Sequence, residues 1–274
     1  GANFIGHCPF HDEKTPSFTV SATKGIYKCF GCGKGGNSVS FVMEHEHYSY
    51  PEALKYLAEK YSIEVVEQEL TPEQSIRAND RDSLYVITSF ANKFFQQELW
   101  ESEEGKTIGL SYYKERGFSA ETIKKFQLGY GPKQKDALSK EALKSSFQMK
   151  YLEDSGLSIV KNESAFDRFI ERMMFPIHSF SGRVLGFGGR TLQKGNKAKY
   201  VNSPESLIYQ KSKILYGIYF AKQHISKQNN CFIVEGYTDV ISLHQAGIEN
   251  VVSSSGTSLT LEQIKLINRF TKNI

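Results

Sequence analysis

The 274-residue chain contains no run of about 18 consecutive apolar residues, so no segment reads as a membrane-spanning helix. Its four cysteines are too few and too unevenly placed for a disulfide scaffold. Three of them fall between Cys8 and Cys32, a clustering that points to metal binding in a reducing compartment. No cationic leader precedes an apolar stretch, so no export signal is expected and a cytoplasmic location is. There is no internal repeat and no low-complexity tract. At 39% hydrophobic and 23% charged, the composition excludes a disordered, collagen-like or coiled-coil chain. The length allows one to three compact domains with at least one sizeable core. The chain opens on Gly1-Ala2-Asn3 without methionine and stops at Asn273-Ile274 straight after a helical pattern, and so reads as a segment of something longer.

The formal net charge of +4 is unevenly distributed. Residues 1–70 carry six lysines and no arginine against nine carboxylates, a net of −3, whereas residues 161–227 carry twelve Lys/Arg against four carboxylates, a net of +8. A basic segment beside an acidic one suggests a face that meets a polyanion; a solvated, lysine-rich surface would read the same way.

Short strands are expected at Ser17-Phe18-Thr19-Val20 and Ile26-Tyr27-Lys28-Cys29, then helices from Asn37 and from Pro51, the second repeating Leu54, Leu57, Ala58 and Tyr61 at helical spacing. The first domain is set at 1–65, and residues 66–76 lack a core pattern and read as a linker. A long amphipathic helix is expected over 77–101, with helical segments continuing to about 157. Met173–His178 and Val184–Gly188 then flank the turn Ser179–Arg183 as strand–turn–strand. From about 216 the chain alternates helix and strand: Cys231–Val234 strand, helix 238–246, strand Val251–Ser253, helix from 260. That alternation predicts a parallel sheet. The fold class is therefore α/β (α+β overall), with a metal module, a basic middle region over 77–228 and an α/β region from 229 to 274 cut off at its end.

Cys8-Pro9-Phe10-His11 and Cys29-Phe30-Gly31-Cys32 give C-x2-H and C-x2-C separated by seventeen residues. Two such knuckles converge four N/S ligands on one tetrahedral centre, as structural zinc requires, and thiolates argue against magnesium or calcium. With all four positions filled by protein, the ion supports folding and not chemistry. His7 breaks the spacing and is taken as a neighbour. Phe10, Phe18, Tyr27 and Phe30 around the centre could stack on unpaired bases or form the small core, and the sequence leaves both open.

The run from Cys8 to Phe18, followed by Tyr27-Lys28-Cys29-Phe30-Gly31-Cys32-Gly33-Lys34-Gly35-Gly36, resembles the zinc-binding domain of bacterial DnaG-type DNA primases. The resemblance continues through Asp167-Arg168-Phe169 to Met174–Ile177, Gly182–Arg190 and Lys199-Tyr200-Val201-Asn202-Ser203-Pro204-Glu205, which look like the start of the primase RNA-polymerase domain. Arg183, Arg190, Lys199, Lys211 and Lys213 fall near turns and strand ends, where long cationic side chains can reach phosphates. The resemblance implies that this surface, with Asn202, guides single-stranded template and binds the triphosphate of incoming ribonucleotides. It also credits Arg116 with template contact, although a solvated arginine at a helix end would look alike.

Val234-Glu235-Gly236-Tyr237-Thr238-Asp239 places a carboxylate at the carboxyl end of a strand, where open α/β sheets build their sites. It resembles the first motif of the TOPRIM fold, which implies that Glu235 helps to organise Mg2+ or Mn2+ or acts as an acid/base group. Ser255-Gly256-Thr257-Ser258 resembles the next loop, with Gly256 and Thr257 as supporting residues beside Gly236. Asp239 either supports that site or is a first-turn carboxylate favoured by the helix dipole. TOPRIM sites complete their metal set with an Asp-x-Asp pair, and no Asp follows Asp239 in this sequence, so little or no polymerisation is expected of these 274 residues alone.

The expected function is a DNA primase making short RNA primers on a single-stranded DNA template, with two divalent ions at the attacking and leaving oxygens and one structural zinc. The resemblance further implies a replicative helicase partner reached through a missing C-terminal domain; a monomer with no membrane association is expected. The alternatives are a non-catalytic module that binds single-stranded DNA, and a topoisomerase-like or nuclease TOPRIM enzyme.

Overall fold

The structure, a computed structural model, describes residues 3–46, 48, 50–64, 71–161, 164–193, 198–254 and 258–274. The chain divides into two compact units, Gly1–Glu69 and Leu70–Ile274.

In the first unit β1 (Phe4–Gly6), β2 (Phe18–Ser21), β3 (Ile26–Cys29) and β4 (Gly35–Asn37) form one antiparallel sheet in sequence order. The register sets Phe18 opposite Cys29 and Val20 opposite Tyr27, so these four side chains share one face. Against that face lies α1 (Ser38–His45), which starts where Asn37 Oδ1 accepts the Ser40 N–H at 2.9 Å. The rings of Phe10, Phe18, Tyr27 and Phe41 pack with centroids 5.2–6.0 Å apart. Three of the four aromatics that the sequence left undecided are therefore core; Phe30, at 74% exposure, is not. Next comes α2 (Tyr50–Lys60), which packs on α1. The expected stripe on α2 is corrected: Ala53 and Ala58 are buried, while Leu54 and Tyr61 are exposed. Alanines let two helix backbones approach closely, and the larger side chains are turned to the flank.

The second unit opens with α3 (Pro72–Glu101), which begins inside the expected linker. Thr71 Oγ1 accepts the Gln74 N–H at 3.3 Å and Gln74 Oε1 accepts the Thr71 N–H at 3.0 Å, with Pro72 at the first helical position. Residues 66–70 of that linker lie outside the described residues. A π-helical turn over Gly105–Leu110 leads to α4 (Ser111–Glu115) and α5 (Ala120–Lys125). The helical stretch expected to 157 is interrupted by β5 (Gly129–Gly131), after which α6 (Ala137–Lys144) and α7 (Met149–Asp154) follow. A hairpin of β6 (Ser158–Lys161) and β7 (Ser164–Asp167) precedes β8 (Arg172–His178), β9 (Val184–Thr191) and β10 (Tyr200–Asn202).

These last three strands and β5 form an antiparallel sheet in the order β10-β9-β8-β5. Every residue of β8 is buried, the apolar run Met173–Ile177 together with the flanking Arg172 and His178. Helix α3 lies over the sheet, held by the Thr88 hydroxyl, which donates to the Val184 carbonyl at 2.8 Å. Where β5 passes under α3, only glycine fits: a Cβ on Gly129 would stand 2.6 Å from Cβ of Phe95.

A 3-10 turn over Lys211–Lys213 leads to α8 (Ile218–Gln228), β11 (Phe232–Val234), α9 (Tyr237–Gln245), β12 (Val251–Ser253) and α10 (Leu261–Ile267). β11 and β12 pair in parallel, as the alternating pattern predicts. Tyr216 and Ser253 exchange backbone hydrogen bonds of 2.8 and 3.0 Å at the edge of β12. Among the described residues no helix is long and apolar enough to cross a membrane.

A candidate zinc centre and a candidate phosphate-binding edge

One ligand atom from each of Cys8, His11, Cys29 and Cys32 falls in a group whose members all lie within 4.8 Å of one another. Cys8 Sγ and Cys32 Sγ are 3.8 Å apart, and His11 Nδ1 is 3.9 Å from Cys29 Sγ. A tetrahedron with Zn–S bonds of about 2.3 Å separates its sulfurs by about 3.8 Å, so the donor set and its spacing fit structural zinc. The backbone prepares the thiolates: the Phe10 N–H points to Cys8 Sγ at 3.4 Å and the Cys32 N–H to Cys29 Sγ at 3.3 Å. Burial pushes the Cys8 thiol pKa up. At Cys29 burial pushes the same way, and hydrogen bonds from Ser17 and the Cys32 N–H outweigh it. Gly31 is required by close approach, because a Cβ there would stand 2.6 Å from His11 Nε2.

The sequence reasoning missed the groups behind the ligands. Glu13 Oε1 accepts the N–H groups of Cys8 and Ser17 at 2.8 and 3.0 Å, and its Oε2 faces His11 Nε2 at 3.3 Å and accepts the Ser17 hydroxyl. Ser17 Oγ in turn accepts the Gly31 N–H at 3.1 Å and lies 3.3 Å from Cys29 Sγ. Glu13 thus orients the histidine and, through Ser17, joins the two knuckles, an outer carboxylate of the kind that fixes metal-bound imidazoles.

The second candidate site lies at the carboxyl edge of the β11–β12 pair. Glu235 follows β11 and is exposed, and its carbonyl accepts the Ser253 hydroxyl at 2.8 Å. Asp239 is exposed and its Oδ2 accepts the Gly236 N–H at 3.0 Å, closing the first turn of α9, so its observed contact is a helix cap. Gly256 and Thr257 lie outside the described residues. The turn carrying Lys211 and Lys213 reaches the same edge: the Thr260 hydroxyl donates to the Ser212 carbonyl at 2.5 Å, and Gln263 Nε2 donates to the carbonyls of Lys211 and Ile214 at 3.1 and 2.8 Å. Among the described residues, the only group of three or more Cys, His, Asp or Glu with metal-ligand spacing is the zinc set. The residues present at Glu235 do not by themselves complete a magnesium site.

Tyr237 connects this edge to the antiparallel sheet. Its hydroxyl donates to Asn202 Oδ1 at 2.7 Å, and its ring stacks on Phe175 and meets Tyr216 edge-on at centroid distances of 5.4 and 4.5 Å. Tyr200, next to the exposed Lys199, lies 6.4 Å from Tyr237 and opposite Arg190 in the β9–β10 register. The Arg190 guanidinium sits 4.9 Å from the Tyr112 ring and 5.6 Å from the Tyr200 ring, and the Arg116 guanidinium sits 5.2 Å from the Tyr112 ring. Arg116, Arg190 and Asn202 are therefore gathered along one row of tyrosines, Tyr112, Tyr200 and Tyr237, whose last member stands two residues after Glu235 in sequence; Lys199 adjoins Tyr200 in sequence. Arg183 is not among them. It lies over Tyr85 at 4.5 Å, at the other end of β9. Seven strand residues put it about 23 Å from Arg190. In sequence the two arginines belong to one basic stretch, whereas strand β9 carries them to its opposite ends.

Residues 1–73 match the family model of a CHC2 zinc finger, residues 94–222 that of the N-terminal domain of the DNA primase catalytic core, and residues 232–274 a Toprim-like model. The DNA primase of Halalkalibacterium halodurans is 45% identical over 98% of this chain, and that of Escherichia coli strain K12 is 40% identical over all of it. The chain spans 45% and 47% of the length of these two relatives. The crystal structure of the zinc-binding and RNA-polymerase domains of the Aquifex aeolicus primase superposes with a TM-score of 0.65 at 35% identity, covering 99% of this chain and 64% of that one. A DnaG primase catalytic domain bound to ssDNA superposes with a TM-score of 0.66 at 41% identity, covering 72% of this chain and 61% of that one. Fold and sites define a zinc-finger protein with a Toprim-like part. The chain belongs to the DnaG-type DNA primase family.

Proposed function

We propose that the chain forms the zinc-binding part and the first part of the RNA-polymerase part of a cytoplasmic, monomeric primase that makes short RNA primers on single-stranded DNA. In the reaction the 3′-hydroxyl of the growing strand attacks the α-phosphorus of an incoming ribonucleoside triphosphate and pyrophosphate leaves. The observation that carries this reading is the pairing of Arg116 and Arg190 on the Tyr112 ring, linked through Tyr200 and Tyr237 to Asn202, in a chain with the primase-type zinc set. Arginines over tyrosine rings and the lysine beside them are suited to hold phosphate oxygens of template and triphosphate. Glu235 supplies one carboxylate to a Mg2+ or Mn2+ set whose other donors these 274 residues do not contain, so residues 1–274 alone should polymerise little or not at all. The helicase partner belongs to this proposal through the family alone.

The test is incorporation of labelled ribonucleotides on single-stranded DNA with Mg2+ by the full-length protein, with and without Glu235→Gln. Short RNA products that disappear in the variant support the reading and put Glu235 at the reacting end. An intact, zinc-loaded protein that makes no RNA yet binds single-stranded DNA would be a binding module. DNA cleavage or relaxation without nucleotide would make it another Toprim enzyme.

A further inference from the structure

Tyr112 occupies an unusual position for a buried tyrosine. It lies on α4 four residues before Arg116, on the same helix face, and is 7% exposed. Its hydroxyl accepts a hydrogen bond from Arg190 Nη1, 78 residues further along the chain, and its ring carries Arg190 at 4.9 Å and Arg116 at 5.2 Å. Tyr200 closes over Arg190 from the β10 side at 5.6 Å. Two like charges are thus held on a single ring and are not splayed apart in solvent. The Arg190 Nε is buried and, among the described residues, has no hydrogen-bond partner. A buried donor left without an acceptor costs stability, and a bound anion oxygen would satisfy it. Arginine presents its donors as a rigid planar fork, so fixing one Nη fixes the direction of the rest.

We propose that Tyr112 is a positioning residue: its hydroxyl and ring set the Arg190 guanidinium, with Arg116 beside it, in a fixed presentation to phosphate oxygens. The proposal rests on the reading of Arg190 and Arg116 as phosphate-binding groups. The oxygens have two sources of the same chemistry, a template phosphodiester and a nucleotide triphosphate. The sequence signal was present, since Tyr112 and Arg116 are spaced i, i+4, but its third member lies on β9 and appears only in the fold.

The experiment is a double-mutant cycle in the full-length protein with Tyr112→Phe, Arg190→Ala and the pair. One arm measures the affinity of a fluorescein-labelled oligothymidylate without nucleotide; the other measures the apparent nucleotide KM and kcat of primer synthesis. Tyr112→Phe keeps the ring and removes only the hydroxyl. It should weaken one of these two affinities about tenfold, the effect of losing a hydrogen bond to a charged group, with kcat unchanged. In the Arg190→Ala background it should have no further effect, an outcome that a merely structural role would not produce. The arm that responds identifies the source of the phosphate. Arg190→Lys, which keeps the charge and loses the fork, should reproduce the loss if Tyr112→Phe proves too unstable to assay. Unchanged affinity in Tyr112→Phe, or an equal loss with and without Arg190, overturns the role of Tyr112. Unchanged affinity in both arms for Arg190→Ala overturns the phosphate-binding reading beneath it.

Discussion

Gln245, the last residue of α9, grips the loop next to Arg116 like a backbone strand: its Nε2 donates to the Gly117 carbonyl at 2.8 Å, and its Oε1 accepts the Ser119 N–H at 2.8 Å. The same helix begins two residues after Glu235, so one rigid element spans from the candidate carboxylate to the candidate template cation. Gln245→Leu keeps the volume and removes both bonds, leaving two backbone groups to find water. The variant should lose about 1–3 kcal/mol in urea unfolding. Its affinity for single-stranded DNA should fall further than that of a variant at the exposed, remote Lys144. Unchanged unfolding would mean that solvent replaces both bonds at no cost.

Glu13 predicts a graded effect on zinc. Cys29→Ser removes a ligand and should abolish stoichiometric zinc and unfold residues 1–45, while the unit from Leu70 onward stays folded. Glu13→Gln keeps an acceptor oxygen but loses the carboxylate that faces His11 Nε2 and accepts two N–H groups. Zinc affinity, measured by competition with a chromophoric chelator, should fall about 10–100-fold, as is usual when the carboxylate behind a metal-bound histidine is removed. Equal affinity in the two proteins would make the Glu13 network a turn and nothing more.

His178 predicts an acid-sensitive second unit. Its Nε2 is 3.1 Å from Gln127 Oε1, which also accepts Asn92 Nδ2 at 2.7 Å, and burial pushes its pKa down to about 4. The unfolded chain takes up this proton near pH 6.5, before the folded one does. Stability is therefore present above pH 6.5 and lost as the pH falls towards 4, by up to about 3 kcal/mol. His244, lowered to about 4 chiefly by burial, adds to the same slope. Urea unfolding followed through Trp100, the single tryptophan, reports this unit alone. In His178→Asn, which keeps an amide donor but cannot titrate, the slope between pH 6.5 and 4 should be markedly shallower.

The elements with strong local signals were legible in the sequence. The C-x2-H and C-x2-C spacing, the uninterrupted apolar run of β8 and the alternation that gives β11, α9 and β12 all depend on neighbours in sequence. What escaped depends on partners far away. β5, three residues long, has no periodicity of its own and exists because β8 and α3 sandwich it. The start of α3 is hidden in the sequence because Thr71-Pro72-Glu73-Gln74 is a capping pattern with no apolar stripe behind it, and a stretch without a core pattern reads as a linker. Arg183 and Arg190 are near in sequence, and the length of β9 separates them in the fold. Glu13, Tyr112 and Gln245 carry no motif. Their roles come from atoms brought to them by other elements.

Gly188 and Tyr237 supply the sharpest test of how the Toprim-like part is seated. Gly188 pairs with Asn202 across β9 and β10, and the Tyr237 ring approaches it closely: a Cβ on Gly188 would stand 2.3 Å from Tyr237 Cε2. Gly188→Ala should drive the ring off the strand, break its bond to Asn202 and shift the first turn of α9 with Glu235. Overpacking of this kind costs about 1–3 kcal/mol. Tyr237→Phe keeps the ring seated and loses only the hydroxyl bond, about 1 kcal/mol. If the seating of Tyr237 aligns Glu235 with the phosphate-binding row, Gly188→Ala should cut the rate of primer synthesis in the full-length protein far more than Tyr237→Phe does, with zinc content unchanged in both. If the two variants lose rate only in proportion to their loss of stability, the contact holds the fold together without aligning the site.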